Sequence, residues 1–173
     1  MDRSSLVRLG FRGFISIRDL RAASLRDIPQ TPGVYALLRE QRTEPAFVES
    51  GTGGHFKGKN PNVPIDVLRA AWVPTSPVVY IGKAGGADGG STLRRRLGQY
   101  LDFGAGKPVG HWGGRYIWQL SDAEDLHVCW LSTVDRDPES VEADLIEAFK
   151  AEHGKRPFAN LRDGARRVVK AAP

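Results

Sequence analysis

The pattern of apolar and polar residues along the chain predicts three β-strands. Gly33–Leu38 is an apolar run behind a proline, residues 77–82 are rich in β-branched and aromatic side chains, and residues 126–131 form a third apolar run. Short runs of this composition, bounded by proline and glycine, are typical of strands. The sequence therefore predicts a small sheet whose strands come from widely separated parts of the chain.

Apolar residues recur with a helical period in three segments. Residues 65–72 form a short candidate, and a longer helix is predicted from a cap at Ser91 or Thr92 to about residue 103. The clearest helix start is Asp137 followed by Pro138, an N-cap residue and a proline at the first helical position. That last helix is predicted to end near residue 152.

One carboxylate interrupts the apolar face of the last predicted helix. On a helical wheel Val141, Leu145 and Phe149 share one stripe, and Glu142 lies within it. A carboxylate on an apolar face loses hydration unless a cation, a metal ion or hydrogen-bond donors compensate it. The wheel alone leaves two interpretations open: a functional carboxylate, or a glutamate at the edge of the stripe that is bridged to an arginine.

Composition is typical of a globular protein and adds a weak hint about a partner. The 173 residues fit one domain, with 40% hydrophobic and 26% charged residues. A net charge of +5 suggests a polyanionic partner. The charge is uneven, because residues 121–152 hold ten acidic and two basic residues. We expect nine of those ten carboxylates only to solvate the surface, with Glu142 as the exception.

The same counts exclude several classes of protein. No apolar run approaches the roughly 18 residues of a membrane span, and the N-terminal residues carry charges with no apolar stretch behind them. The single cysteine, Cys129, excludes an intrachain disulfide and a zinc site built on paired cysteines, and its apolar neighbours predict a core residue. We therefore expect a cytoplasmic protein without a membrane partner.

Five short motifs follow one another along the chain. They are Gly33-Val34-Tyr35, Tyr80-Ile81-Gly82-Lys83-Ala84, the arginine-rich residues 93–100, Glu142 with the residues that follow it, and Pro157-Phe158-Ala159-Asn160. In this order they resemble the motifs of the GIY-YIG nuclease superfamily, which includes the N-terminal domain of the excinuclease C subunit. Each motif alone is weak, so the resemblance depends on the order of all five. Val34 replaces the usual isoleucine.

The resemblance implies a single α+β domain over residues 1–173. Its core, residues 33–161, would contain a small, mainly antiparallel three-stranded sheet flanked by helices. Residues 1–32 are then an N-terminal extension, residues 40–76 an insertion between the first two core strands, and residues 162–173 a basic tail.

The resemblance also assigns chemical roles. Glu142 would hold a single Mg²⁺ (or Mn²⁺), and Arg96, which precedes the second leucine of its motif, would clamp a phosphate. Tyr35 would be the general base, with Tyr80 and Lys83 orienting or activating the water, and the two tyrosines could exchange roles. We expect Lys83, Arg96 and the metal to favour the phenolate and so to lower the tyrosine pKa.

The implied partner is DNA, and basic residues outside the motif centre are candidate phosphate contacts. They are Lys57, Lys59, Arg94, Lys107, Arg115, Arg162, Arg166 and Arg167. Contacts of this kind give an affinity that depends on salt and not on sequence. Asn160 would brace the site through side-chain hydrogen bonds. Residues 53–59 are either a substrate loop or a surface loop without function, and residues 110–115 are predicted only to form a tight turn with an aromatic anchor.

Three functions are compatible with the motifs. The first is a metal-dependent endonuclease that hydrolyses DNA phosphodiester bonds. The second is a catalytically inactive nucleic-acid-binding module of the same fold, and the third is an RNA-directed nuclease. Tyrosines on strands and arginines on helices also have ordinary packing and surface roles, so the motifs alone do not decide among the three.

Overall fold

The computed structural model describes residues 1–86 and 90–164 of the chain. Arg166 and Arg167, two of the candidate phosphate contacts, lie outside the described residues. None of the described helices combines the length and the apolarity that crossing a membrane requires.

Four strands of the described residues form one antiparallel sheet. They are β1 (Arg12–Ser16), β2 (Gly33–Leu38), β3 (Val78–Ala84) and β4 (His127–Ser132), in the order β1-β4-β2-β3. The prediction of an α+β fold is confirmed, and the three predicted strands are found. The prediction of a three-stranded sheet is wrong, because the N-terminal segment adds β1 beside β4.

The backbone of β1 explains why its pattern is hard to recognise in the sequence. Gly13 and Phe14 have positive φ angles of 96° and 58°, and the pairing with β4 shifts register between Gly13 and Ile15. Such a bulge breaks the two-residue alternation by which a strand is recognised. Residues 12–16 of the N-terminal segment are therefore part of the sheet.

Within the part of the chain that the structure describes, five α-helices flank the sheet: α1 (Arg3–Arg8), α2 (Ile17–Ala22), α3 (Ile65–Ala71), α4 (Leu93–Gly104) and α5 (Pro138–His153). The cap of α4 is Thr92, whose side chain accepts a hydrogen bond from the Arg95 amide. The side chain of Asp137 caps α5 in the same way, and Gly154 ends that helix in a left-handed conformation. The caps predicted from the sequence thus position the two longest helices.

The sheet has a buried apolar cluster on each face. Tyr35 and Leu37 of β2 face the cluster that contains α4, whereas Val34, Ala36 and Leu38 face the cluster that contains α5. Burial of each such aliphatic side chain contributes roughly 1.5–3 kcal/mol. Cys129 is fully buried in the second cluster, as predicted. Because β3 is an edge strand, side chains from both faces meet along its open side.

Some of the carboxylates in the acidic residues 121–152 have structural roles. Asp122 accepts a hydrogen bond of 2.7 Å from Arg39, and both side chains are largely buried. Asp137 caps α5, and Glu139 pairs with Lys83. The expectation that nine of the ten carboxylates only solvate the surface is therefore wrong for these three.

Candidate functional site

A cleft of about 540 Å³ curves around the edge strand β3. All six residues predicted to have chemical roles line it: Tyr35, Tyr80, Lys83, Arg96, Glu142 and Asn160. The two tyrosines belong to the cluster on the α4 face of the sheet, and Glu142 comes from α5 on the other face. Folding thus gathers side chains that are up to 125 positions apart in the sequence.

The two tyrosines are buried and contact each other. The Tyr35 side chain is fully buried, Tyr80 is 6% exposed, and their rings meet edge to face with centroids 6.0 Å apart. Behind them, Tyr80 stacks on Tyr100, which donates a hydrogen bond of 3.2 Å to the Gly114 carbonyl oxygen. This packing holds both phenols in place at the floor of the cleft.

Burial decides the protonation of the phenols. It raises the pKa of Tyr35 to about 12, although Arg96 and the hydrogen bond from Tyr80 act in the opposite direction. Burial also raises the pKa of Tyr80 well above its usual value. The expectation of a lowered tyrosine pKa is therefore wrong for the protein alone, because loss of hydration outweighs the nearby positive charge.

Two glycines leave room for the tyrosine rings. A side-chain carbon at Gly82 would lie 2.6 Å from Cζ of Tyr35, and one at Gly114 would lie 2.9 Å from Cε1 of Tyr80. Gly114 also has a left-handed φ of 76°. These close approaches give a physical reason for a glycine two residues after Tyr80.

Of the three consecutive arginines of α4, Arg96 lines the cleft. Its Nη1 lies 3.5 Å from the Gly110 carbonyl oxygen, which leaves most of its donors directed elsewhere. Arg95, the preceding residue, is exposed and is not among the residues that line the cleft. Arg94 donates to the backbone carbonyl oxygens of Ile28 and Arg26, so its guanidinium ties the N-terminal segment to α4.

Glu142 is half-buried in the cleft and has no direct ion-pair partner among the described residues. Burial raises the pKa of its carboxyl group to about 7, against the opposing effects of Lys83, Arg162 and Arg96. Lys83 forms its ion pair with Glu139 instead. Glu142 thus lines the cleft, and among the described residues no ion pair bridges it to an arginine.

The cleft offers oxygen ligands to a hard cation. Glu142 forms no ion pair among the described residues, and Glu139 beside it is paired with Lys83. Among the described residues there is no cluster of three or more His, Cys, Asp or Glu side chains able to hold a metal ion. One carboxylate together with waters and substrate oxygens is, however, a usual ligand set for Mg²⁺. The chemistry of Glu142 therefore fits a divalent cation shared between protein and substrate.

Asn160 hydrogen bonds to the edge of β3 that has no neighbouring strand. Its Oδ1 accepts a hydrogen bond of 2.9 Å from the Ile81 amide, and its Nδ2 donates one of 2.8 Å to the Ile81 carbonyl oxygen. The Ala159 amide donates to the Val79 carbonyl oxygen nearby. The last motif thus lies along β3 and fixes the strand that carries Tyr80 and Lys83.

His111 is a residue of the site that the motifs do not indicate. Its ring is fully buried, and Nε2 lies 3.2 Å from the Tyr35 hydroxyl oxygen. Burial and the charge of Arg96 lower its pKa well below the usual value, so the imidazole is neutral at pH 7. The only signal in the sequence is the unusual composition of residues 110–115, for which no role was predicted. Trp112 of the same segment also lines the cleft, with the Arg115 guanidinium 4.7 Å from its ring centroid.

The candidate phosphate contacts among the described residues differ in exposure and in the contacts that they already make. Lys57 and Lys59 are exposed, in a loop whose Phe56 packs against Gly110 beside the cleft. Lys107 is exposed but pairs with Asp102 at 2.7 Å. Arg115 is half-buried against Trp112, and Arg162 is exposed at the cleft.

Comparison with known proteins adds no relative. The chain matches no protein-family model, no curated protein and no solved structure, so the resemblance to the GIY-YIG superfamily depends on the five motifs themselves.

Proposed function

We propose that this chain is a metal-dependent endonuclease of the GIY-YIG type that hydrolyses DNA phosphodiester bonds. The observation that supports the proposal is the shared cleft: the residues that the motifs select from five separate segments all line it. Residues that only had packing or surface roles would have no reason to converge on one polar cleft.

Each side chain has a task in phosphodiester hydrolysis. Arg96 is directed into the cleft, where its guanidinium would bind the phosphate and stabilise the negative charge that develops on it. Tyr35 and Tyr80 would hold the attacking water, with Tyr35 as the base. Glu142 would hold the divalent cation, which when bound supplies Lewis-acid stabilisation of the leaving oxygen. Lys83, held by Glu139, adds positive charge beside the site.

The test is cleavage of supercoiled plasmid DNA in the presence of Mg²⁺ or Mn²⁺. Arg96→Ala and Glu142→Ala should each lower the cleavage rate by roughly 10²–10³-fold, since each removes a charged group that acts in the transition state. The matched controls are Arg95→Ala and Glu147→Ala, which change exposed residues of the same helices and should leave the rate unchanged.

Two other outcomes would identify the alternatives. DNA binding without any cleavage by the wild-type protein would contradict the enzyme and favour an inactive binding module. If the protein cleaved structured RNA in a parallel assay and left the plasmid intact, the substrate would be RNA and not DNA.

A further inference from the structure

His111 is a buried imidazole behind the cleft, and the mechanism above gives it no role. Its Nε2 lies 3.2 Å from the Tyr35 hydroxyl oxygen, and its ring lies 4.6 Å from the ring of Tyr100. Nδ1 is buried and has no hydrogen-bond partner among the described protein atoms. A buried polar atom without a partner destabilises a protein, and such an atom beside a reactive group points to a functional role.

Tyr35 needs a proton acceptor if it is the base. A neutral phenol can accept a proton from water only if it gives its own proton away. Because burial raises the pKa of Tyr35 to about 12, only about 10⁻⁵ of the molecules carry the phenolate at pH 7. Tyr80 is no acceptor for this proton, because burial raises the pKa of its own phenol well above the usual value and keeps that phenol neutral. Nε2 of His111 is within reach of the Tyr35 hydroxyl.

We propose that His111 accepts the hydroxyl proton of Tyr35 while Tyr35 accepts a proton from the attacking water. This relay rests on the proposed nuclease function. It gives a positioning role to His111, which acts through Tyr35 and does not contact the substrate. A water O–H bond breaks and its proton moves to the Tyr35 oxygen, as the Tyr35 proton moves to Nε2. The hydroxide forms a bond to phosphorus, the bond from phosphorus to the leaving oxygen breaks, and the leaving oxygen takes a proton from solvent water. The imidazolium then returns its proton through Tyr35 to solvent, so that both side chains are neutral again.

The groups around His111 keep its imidazole neutral in the protein alone. They are Tyr35 from β2, with Tyr80 of β3 behind it, and Tyr100 and Arg96 from α4. Without substrate, burial and Arg96 keep the imidazole neutral and able to accept a proton. A phosphate bound at Arg96 would compensate the guanidinium charge, and the imidazolium would then be less disfavoured during the reaction.

The relay requires one tautomer of His111, and this requirement is testable whether or not the protein cleaves DNA. Nε2 can accept a proton only if the neutral ring carries its hydrogen on Nδ1. Nitrogen-15 NMR of the wild-type protein at pH 7, with His111→Gln to assign the signals, should show Nδ1 protonated and Nε2 bare. A ring protonated on Nε2 would overturn the relay.

His111→Gln is also the kinetic test, because the glutamine oxygen can accept the Tyr35 hydrogen bond but cannot take the proton. The expected loss of cleavage rate at pH 7 is roughly 10²–10⁴-fold, the usual contribution of general acid–base catalysis. The variant should regain rate about tenfold per pH unit in alkaline buffer, since only the phenolate can then act. The wild-type rate should stay flat over the same range.

A purely structural role for His111 predicts a different pattern. In that case His111→Gln would lower the rate and the melting temperature together and leave the shape of the pH profile unchanged, and this result would refute the relay. Failure of the nuclease proposal looks different again, because wild-type protein would then cut neither DNA nor RNA at any pH, while the NMR result would still decide the tautomer.

Discussion

The ring of Tyr35 lies against the backbone of Gly82 on the neighbouring strand. The two residues are direct partners in the β2–β3 pairing, and a side-chain carbon at position 82 would stand 2.7 Å from the Tyr35 hydroxyl oxygen. No rearrangement of Tyr35 alone relieves this contact easily, since its ring is fully buried between Tyr80 and Tyr100. The glycine therefore determines where the phenol sits.

Replacement of this glycine should damage the site more than the fold. Gly82→Ala is expected to displace the phenol and to lower the cleavage rate by about 10²-fold, because small misplacements of reacting groups have effects of that size. Overpacking should also destabilise the protein by about 1–3 kcal/mol, measured by urea unfolding. The matched control is Gly98→Ala inside α4, where the new carbon would lie 3.5 Å from Leu25 and should be neutral or slightly stabilising. Wild-type activity in Gly82→Ala would contradict this account.

The carboxyl group of Glu142 should make stability depend on pH. Its pKa is raised from 4.5 to about 7, so folding favours the protonated carboxyl group. The contribution of this group to the free energy of unfolding is fully present below pH 4.5 and is lost as the pH rises through 7. In a chelating buffer, Glu142→Gln should therefore become more stable than the wild type as the pH rises from 5 to 8. We expect the unfolding free energy of Glu142→Gln to gain on the order of 1–2 kcal/mol relative to the wild type over this range. This is less than the full linkage value because Glu142 is partly exposed.

Urea unfolding at several pH values measures this difference. Glu147→Gln, on an exposed position of the same helix, should show a constant offset from the wild type over the range. If Glu142→Gln also gave a constant offset, the carboxyl group would not be desolvated as the structure indicates.

Asn160 should contribute through the backbone of Ile81. Asn160→Ala removes both hydrogen bonds to that residue and leaves its amide and carbonyl groups without partners. We expect a loss of roughly 1–3 kcal/mol in unfolding free energy and faster hydrogen exchange at the Ile81 amide. The control is Asn60→Ala, whose bonds to Asn62 are exposed and can be replaced by water. Unchanged exchange at Ile81 would contradict the bracing role.

The lysines of the insertion and Arg94 should respond differently in binding experiments. Lys57 and Lys59 are exposed, and each one that contacts a phosphate of duplex DNA should contribute about 0.9 to the slope of log affinity against log salt. Lys57→Ala should lower this slope by up to that amount. Arg94→Ala should lower stability and leave the slope unchanged, because its guanidinium is bound by two backbone carbonyl oxygens. An equal change of slope in both variants would refute the distinction.

Local patterns in the sequence predict most of the elements that build the cleft. The caps at Thr92 and Asp137 and the apolar runs of β2, β3 and β4 depend on near neighbours in the chain, so the structure has them where the sequence indicates. The position of Glu142 follows for the same reason, since a helical wheel describes one helix by itself.

Features that depend on contacts between distant parts of the chain could not be predicted from the sequence. His111 and Tyr35 are 76 positions apart, and no periodic pattern connects a loop residue with a strand residue. The direction of the Tyr35 pKa shift was wrong because the motifs identify its charged neighbours but not the depth of its burial. The motif selects Arg96 in the sequence, but only packing shows that the guanidinium of Arg94 binds backbone carbonyl oxygens.

The left-handed kink in β1 limits how two copies of this protein can meet. Regular edge strands are open to pairing with another molecule, and bulges are one way in which proteins prevent it. Here the bulge at Gly13 and Phe14 interrupts one edge of the sheet, and residues 157–160 cover the other edge at β3. We therefore expect no dimer that extends the sheet from one molecule into the next. Cleavage of both strands of a duplex would then need contacts through helices and loops, or two successive encounters with the DNA.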